Sequence, residues 1–261
     1  MVTTGYKAIA LSLFVALGIH IHAQDIVIAD ELASHSEPMK VKVGTQSFGK
    51  IAKWKFGEYA VVESKNGLTK TSGKTNFWNT KTEMTSSHKF SFTLCNAIPD
   101  SAYVNAAANF EIRTLQGFQL FEGFTIGEDV LLSEKNDFAA TISINSDTSD
   151  TRYLLMNSEA GEETMDTEAA VLLGKESEIR IFPASSNKNG TDKRALPALG
   201  YEFYDNDQAC AAVQYYGGGL LGSNKYIVWI RDDLDTRLQL FLAAAITTIM
   251  QHQFDMMFPA D

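Results

Sequence analysis

Apolar and polar residues alternate along most of the chain with the period of two that marks a half-buried β-strand. The clearest example is 89–94, where Phe90, Phe92 and Leu94 lie on one face and Lys, Ser and Thr side chains lie on the other. Similar short runs follow one another between turn-forming residues, at 39–43, 49–63, 109–114, 117–126, 138–144, 200–204, 209–216 and 226–230. Many short strands with closely spaced turns are typical of a β-barrel or a β-sandwich.

Glycines near the start of this pattern predict two hairpins. Gly57 interrupts the alternation within 49–63, so the two halves of that run are expected to pair. Asn66-Gly67 tolerates positive φ at both central positions of a two-residue turn. It predicts a second hairpin, between Val61-Val62 and a strand near Leu68.

The pattern changes near the end of the chain, where Leu238 to Met250 contains only Gln239, Thr247 and Thr248 as polar residues. A preceding aspartate cluster suits a helix N-terminus, and Leu and Ala have high helix propensity. A helix without a charged face has to be buried on all sides. We therefore predict a mainly β fold, an antiparallel closed β-barrel that encloses a hydrophobic C-terminal α-helix over about residues 233–252.

The first 23 residues have the features of a secretory signal peptide. Lys7 ends a weakly positive start, Ala8 to Ile19 is an apolar core, and Ala23-Gln24 is a suitable cleavage point. The alternative is an uncleaved membrane anchor, although the apolar run is shorter than the roughly 20 residues of a span. We predict an exported protein, periplasmic, on the cell surface or extracellular, divided into a signal peptide at 1–23, a linker or short strand at 24–38 and one barrel domain at 39–258.

The two cysteines, Cys95 and Cys210, would lie in an oxidising compartment after export. A disulfide that closes so long a loop would stabilise the fold by about 4–5 kcal/mol in the chain-entropy model. The alternative is that both are small apolar residues of the core. The sequence leaves both readings open.

Charge is distributed unevenly in this acidic chain, whose formal net charge is −10. Residues 40–89 hold ten lysines against three glutamates, a net +7, and residues 101–261 hold eleven Lys and Arg against twenty-four Asp and Glu, a net −13. Such asymmetry can mark a site for an anionic partner, and it can equally reflect two ordinary solvated sheet faces of opposite sign. We predict that Lys50, Lys53 and Lys55, with Trp54, form an anion-facing surface. The alternative is an ordinary strand with aromatic residues in the core and solvated lysines outside.

Motifs for metal binding and catalysis are weak. Asp205 and Asp207 are candidate Ca²⁺ ligands, because Ca²⁺ favours several carboxylate oxygens, although no EF-hand loop is present. The sequence has no H-E-x-x-H or G-x-S-x-G motif, and His88 and His252 stand far from any partner at ligand spacing. We predict no catalytic residue and no cofactor.

The C-terminal part of the chain resembles the tubby C-terminal and phospholipid scramblase superfamily. The residues that carry the resemblance are the strand Lys225 to Ile230, the acidic Asp233-Leu234-Asp235 and the apolar run Leu238 to Met250. This resemblance implies a closed antiparallel barrel around a hydrophobic C-terminal helix. It transfers no phosphoinositide-binding residue to a position of this chain, and a shared fold does not imply a shared activity.

Together these features predict a secreted, non-enzymatic binding or interaction module of the bacterial cell envelope. The expected partner is a membrane surface, a lipid or another anionic ligand, and not a nucleic acid. The alternative is an exported hydrolase with an unrecognised active site, in which His88 or His252 would act.

Overall fold

The computed structural model describes most of the chain from Asp25 onward. The described residues are 25–67, 70–75, 82–97, 100–109, 119–121, 124–125, 136–145, 147–157, 167–175, 177–190, 196–219 and 225–258. The predicted signal peptide, 1–23, and most of the strand predicted at 109–114 lie outside them.

The described residues form a mainly β fold with two helices, α1 (Asp30–Ser34) and α2 (Thr236–Met257). The strands are β1 (Met39–Lys40), β2 (Lys42–Gly44), β3 (Lys53–Phe56), β4 (Tyr59–Asn66), β5 (Lys70–Thr75), β6 (Thr82–Cys95), β7 (Ser101–Asn109), β8 (Gln119–Phe121), β9 (Phe124–Thr125), β10 (Asn136–Ile144), β11 (Asp147–Asn157), β12 (Ala170–Leu173), β13 (Glu178–Ser185), β14 (Ala198–Asp205), β15 (Gln208–Gly217) and β16 (Ile227–Ile230).

One antiparallel sheet contains all of these strands except the short ribbon β8–β9, in the order β1-β16-β15-β14-β13-β12-β11-β10-β7-β6-β4-β3-β2, with β5 added beside β6. Its two terminal strands are successive parts of one segment, Met39–Gly44. β1 pairs with β16, the Val41 amide donates to the Tyr226 carbonyl at 3.1 Å, and β2 pairs with β3. The sheet therefore nearly closes on itself, and the predicted antiparallel barrel is confirmed.

The structure confirms one predicted hairpin and corrects the other. Gly57 adopts a φ of 49° between β3 and β4, which pair as expected. Asn66-Gly67 is no hairpin turn, because β4 and β5 both pair with the long strand β6. The Gly67 amide donates to the Lys89 carbonyl at 2.8 Å, so the chain continues along β6 at this point. Pairing with a strand about twenty residues further on overrides the local turn preference.

Helix α2 begins at an aspartate cap and is buried on all sides over most of its length. The Asp235 carboxylate accepts from the amides of Arg237 at 2.9 Å and Leu238 at 3.3 Å. Every residue from Leu240 to Gln251 is buried, and the helix contacts β7, β10, β15 and β16. The hydroxyls of the two buried threonines donate to carbonyls one turn earlier, at 2.8 and 2.7 Å. Helix α2 lacks a charged face and is buried, as the sequence predicted.

The segment before β1 packs against the sheet, which corrects the prediction of a linker or short strand. Residues 26–28 form no strand, and α1 follows them. The Ala29 amide donates to the buried Glu202 carboxylate at 2.6 Å, and the Ile26 amide donates to the buried Gln214 side chain at 3.0 Å. The segment covers a second apolar cluster, separate from the main core and formed by Ile26, Leu32, Ala184, Ala198, Ala209, Ala212 and Trp229.

Candidate functional site

Strands β2 and β3 present a row of lysines to solvent. In β3 the exposed Lys53 and Lys55 alternate with the buried Trp54 and Phe56. In the β2–β3 register, the exposed Lys42 lies directly opposite Lys55, and Gly44 lies opposite Lys53. The exposed Lys50 precedes β3. We call Lys42, Lys50, Lys53 and Lys55 the basic strip.

No described acidic side chain lies within 4.0 Å of an amine of the basic strip. Lys42 and Lys55 are directly opposed, and like charges at such a position of an antiparallel pair are destabilising. The arrangement concentrates positive charge on one part of the outer surface. A bound anion would relieve the repulsion.

Trp54 does not belong to this surface, which corrects its prediction as a ligand-binding residue. Its side chain is fully buried, its ring packs edge-on against Tyr226 at 5.0 Å, and its Nε1 donates to Gln251 Oε1 at 2.8 Å. The alternation of β3 places it on the inner face, opposite to the lysines. Trp54 therefore ties β3 to helix α2.

Two shallow grooves adjoin the basic strip on the outer face of the sheet. The larger, about 430 Å³, is lined by Lys50, Val62, Glu63, Ser64, Lys65, Ser91, Phe92, Thr93, Tyr103, Val104 and Asn105. The smaller, about 110 Å³, is lined by Thr45, Ser47, Lys50, Ile51, Lys53, Val61, Val62 and Ser64. Lys50 contributes to both, and hydroxyl and amide groups make up much of the larger wall. The larger wall holds two lysines, Lys50 and Lys65, against one carboxylate, Glu63, so it is net positive and suits a polar, negatively charged ligand.

A polar cluster fastens the last turns of α2 to the sheet. Gln251 Oε1 also accepts from the Ala52 amide at 3.2 Å, while Gln251 Nε2 donates to Asp255 Oδ1 at 2.8 Å. Asp255 Oδ2 lies 3.7 Å from His88 Nδ1, and His88 Nε2 lies 2.7 Å from Asn66 Oδ1. Burial raises the pKa of Asp255, although the Gln251 hydrogen bond and His88 act in the opposite direction.

The two histidines of the alternative hydrolase have structural partners. His252 stacks on Phe138, with ring centroids 4.1 Å apart, and burial, with a smaller contribution from His88, lowers its pKa to about 4. His88 Nε2 faces the amide oxygen of Asn66 and not a nucleophile. These contacts do not favour a hydrolytic site, because a general base needs its nucleophile within hydrogen-bond reach.

Asp205 and Asp207 lie at the β14–β15 hairpin, where each carboxylate has a partner within the protein. Asp207 pairs with Arg180, and Asp205 accepts from the Asn206 amide group at 3.0 Å. The described part of the chain holds no group of three or more His, Cys, Asp or Glu side chains suited to a metal ion. Turn formation accounts for these carboxylates, since Asn206 and Asp207 both adopt positive φ.

Cys95 and Cys210 are both free, so of the two alternatives that the sequence left open, the structure shows no disulfide between them. Cys95 ends β6 and its Sγ lies 3.3 Å from Ser101 Oγ, whereas Cys210 is buried in β15 and its thiol donates to the Phe203 carbonyl at 3.4 Å. Several strands separate β6 from β15 in either direction around the sheet. Burial raises the pKa of the Cys210 thiol to about 12.

Sequence reasoning missed several interior polar residues. Gln251, Asp255 and Asn66 join in one cluster, although they come from a helix and a strand nearly two hundred residues apart. Arg152 lies with its guanidinium 4.6 Å from the Phe241 ring centroid, and burial lowers its pKa. The sequence did offer one signal for such residues. Arg152, Leu154 and Met156 are alternate residues of β11, so the arginine shares the inward face of the strand with two apolar residues.

Comparison with known proteins adds no relative. No protein-family profile, curated protein or solved structure matches the chain. Among the described residues, neither helix combines the length and the apolar character needed to cross a membrane. The resemblance to the tubby and scramblase superfamily stays a prediction.

Proposed function

We propose that the protein is an exported, non-enzymatic binding module of the bacterial cell envelope that takes an anionic ligand on the basic strip. The observation that carries this proposal is the direct opposition of Lys42 and Lys55 without a described acidic partner. Lys53 and Lys50 extend the same positive surface towards the larger groove.

Electrostatics give the strip both affinity and orientation. The chain as a whole carries −10, so its net charge repels an anionic partner. The basic strip attracts such a partner, which favours one orientation of approach. Each lysine near an anionic surface contributes about 1 kcal/mol, or about fivefold in Kd.

The interior supports a scaffold role. We infer that α2 runs through the barrel as its core, because it contacts β7 and β10 as well as β15 and β16, which lie far apart in the strand order. Near its end, Gln251 accepts from Trp54 and the Ala52 amide, and Asp255 pairs with His88. These contacts hold the strands of the barrel in place, and we place the binding site on the outer surface of the sheet.

The test is a charge reversal with a matched control. Lys53→Glu and Lys175→Glu make the same charge change at exposed lysines, but Lys175 lies between β12 and β13, across the strand order from β3. Binding of a fluorescent polyphosphate would be followed by anisotropy at low salt. We expect Lys53→Glu to weaken binding by at least about fivefold and Lys175→Glu by much less. Equal effects of the two variants would refute the strip as the site.

A further inference from the structure

The loop between β2 and β3 is an ordered turn. The Lys50 amide donates to the Ser47 carbonyl at 3.0 Å, and Gly49 adopts a φ of 70°. This hydrogen bond, with positive φ at the third residue, is typical of a type II β-turn, where glycine is favoured. The Gly49 carbonyl accepts from the Asn66 amide at 2.8 Å, which fixes the turn to the end of β4.

This turn holds a phenylalanine in solvent. Phe48 is 94% exposed, the most exposed of the large apolar residues in the described chain, and Val62 beside the grooves is 58% exposed. An ordered turn that keeps a whole aromatic ring out of the core forgoes the favourable transfer of that ring from water. The ring stands two residues before Lys50, at the end of the basic strip.

We propose that the anionic partner is a lipid bilayer and that Phe48 inserts into its interfacial region while the basic strip binds the headgroups. This inference rests on the proposed function and names its partner. Apolar side chains beside lysines are the combination by which peripheral proteins bind anionic membranes. Insertion anchors the turn, and the charges select the lipid.

A bilayer fits this surface better than an acidic protein does. A single protruding ring needs a complementary cavity on a protein partner, whereas the bilayer interface accommodates aromatic side chains without a preformed cavity. The negative remainder of the chain is repelled by anionic lipid, so the positive turn is directed towards the membrane. Ring insertion and electrostatic attraction therefore act together at the Lys50 end of the basic strip.

The experiment compares vesicles with a soluble polyanion. Phe48→Ser would be tested by co-sedimentation with phosphatidylcholine vesicles containing about a third phosphatidylglycerol, and by polyphosphate anisotropy. Leu196→Ser is the matched control, because Leu196 is also exposed but precedes β14, far from β3 in the sheet. We expect Phe48→Ser to bind vesicles roughly 10-fold more weakly, with polyphosphate binding unchanged. Leu196→Ser should behave like the parent protein.

Insertion has a direct readout in Phe48→Trp. Its added fluorescence should be quenched by phosphatidylglycerol vesicles with brominated acyl chains, and pure phosphatidylcholine should give little quenching. Vesicle binding that is insensitive to Phe48→Ser would overturn the inference. Polyphosphate binding without vesicle binding would also overturn it, and would leave the proposed function standing with a soluble partner. Absence of both would refute the proposed function itself.

Discussion

His252 makes the stability of this protein depend on pH in a defined direction. Burial, with a smaller contribution from His88, lowers its pKa from 6.5 to about 4. The folded protein therefore binds this proton more weakly than the unfolded chain does. Stability is fully present above about pH 6.5 and is lost as the pH falls towards about 4, because the unfolded chain takes up the proton first.

The size of the effect follows from the two pKa values. A shift of one pKa unit corresponds to about 1.4 kcal/mol. Between about pH 7 and about pH 5, linkage through His252 removes roughly 2 kcal/mol of unfolding free energy. Asp255 acts with the opposite sign, because its raised pKa makes the folded state gain stability as the carboxylate becomes protonated.

The variant His252→Phe isolates the histidine, since it keeps a ring to stack on Phe138 and leaves Asp255 in place. Urea unfolding of both proteins at about pH 7 and about pH 5 should show the parent losing roughly 2 kcal/mol more than the variant. An NMR titration of the parent should place the His252 midpoint near 4. Equal losses in the two proteins, or a midpoint near 6.5, would contradict the buried stacked geometry.

Three further predictions concern the packing of the chain. Trp54→Phe removes the indole N–H that donates to Gln251 Oε1 at 2.8 Å, and urea unfolding should show a free energy of unfolding lower by about 1–2 kcal/mol. An unchanged unfolding midpoint would contradict this hydrogen bond. Leu32→Ala should speed hydrogen exchange of amides 26–36 and leave exchange in α2 unchanged, because Leu32 is buried in the second apolar cluster. Equal acceleration in 26–36 and in α2 would show that this cluster does not pack independently of the main core. A thiol reagent should label Cys95 before Cys210 in the native protein and both after unfolding without reductant, and a need for reductant would show a disulfide.

The barrel and the helix could be predicted because their patterns are local and strong. The alternation in 53–56 puts the lysines outside and the aromatic residues inside, as observed. The apolar run within α2 has no charged side chain to expose, and its burial follows from that alone. Residue type and spacing were sufficient in both cases.

Features that depend on distant partners could not be predicted in this way. Asn66-Gly67 favours a turn, but its backbone pairs with β6, and no local pattern indicates that choice. The indole of Trp54 and the amide of Gln251 are separated by 197 residues in sequence. The alternation of β3 places Trp54 inside, so grouping it with the lysines was wrong, but the alternation does not indicate Gln251 as its partner.

The short N-terminal segment shows the same limitation. Its composition suggests a linker, yet Leu32 is buried, and the Ala29 amide meets the buried carboxylate of Glu202. Both contacts are with residues of β13 to β16, which are distant in sequence. Helix α1 has five residues, too few to be stable by propensity, so tertiary packing stabilises it.

A hydrogen-exchange footprint with bound polyphosphate tests the binding account most directly. If the basic strip is the site, amides within 42–66 should become protected on binding, and those of 170–181, across the sheet, should not change. Protection confined to 170–181, or the absence of any protection at saturating polyphosphate, would contradict the account.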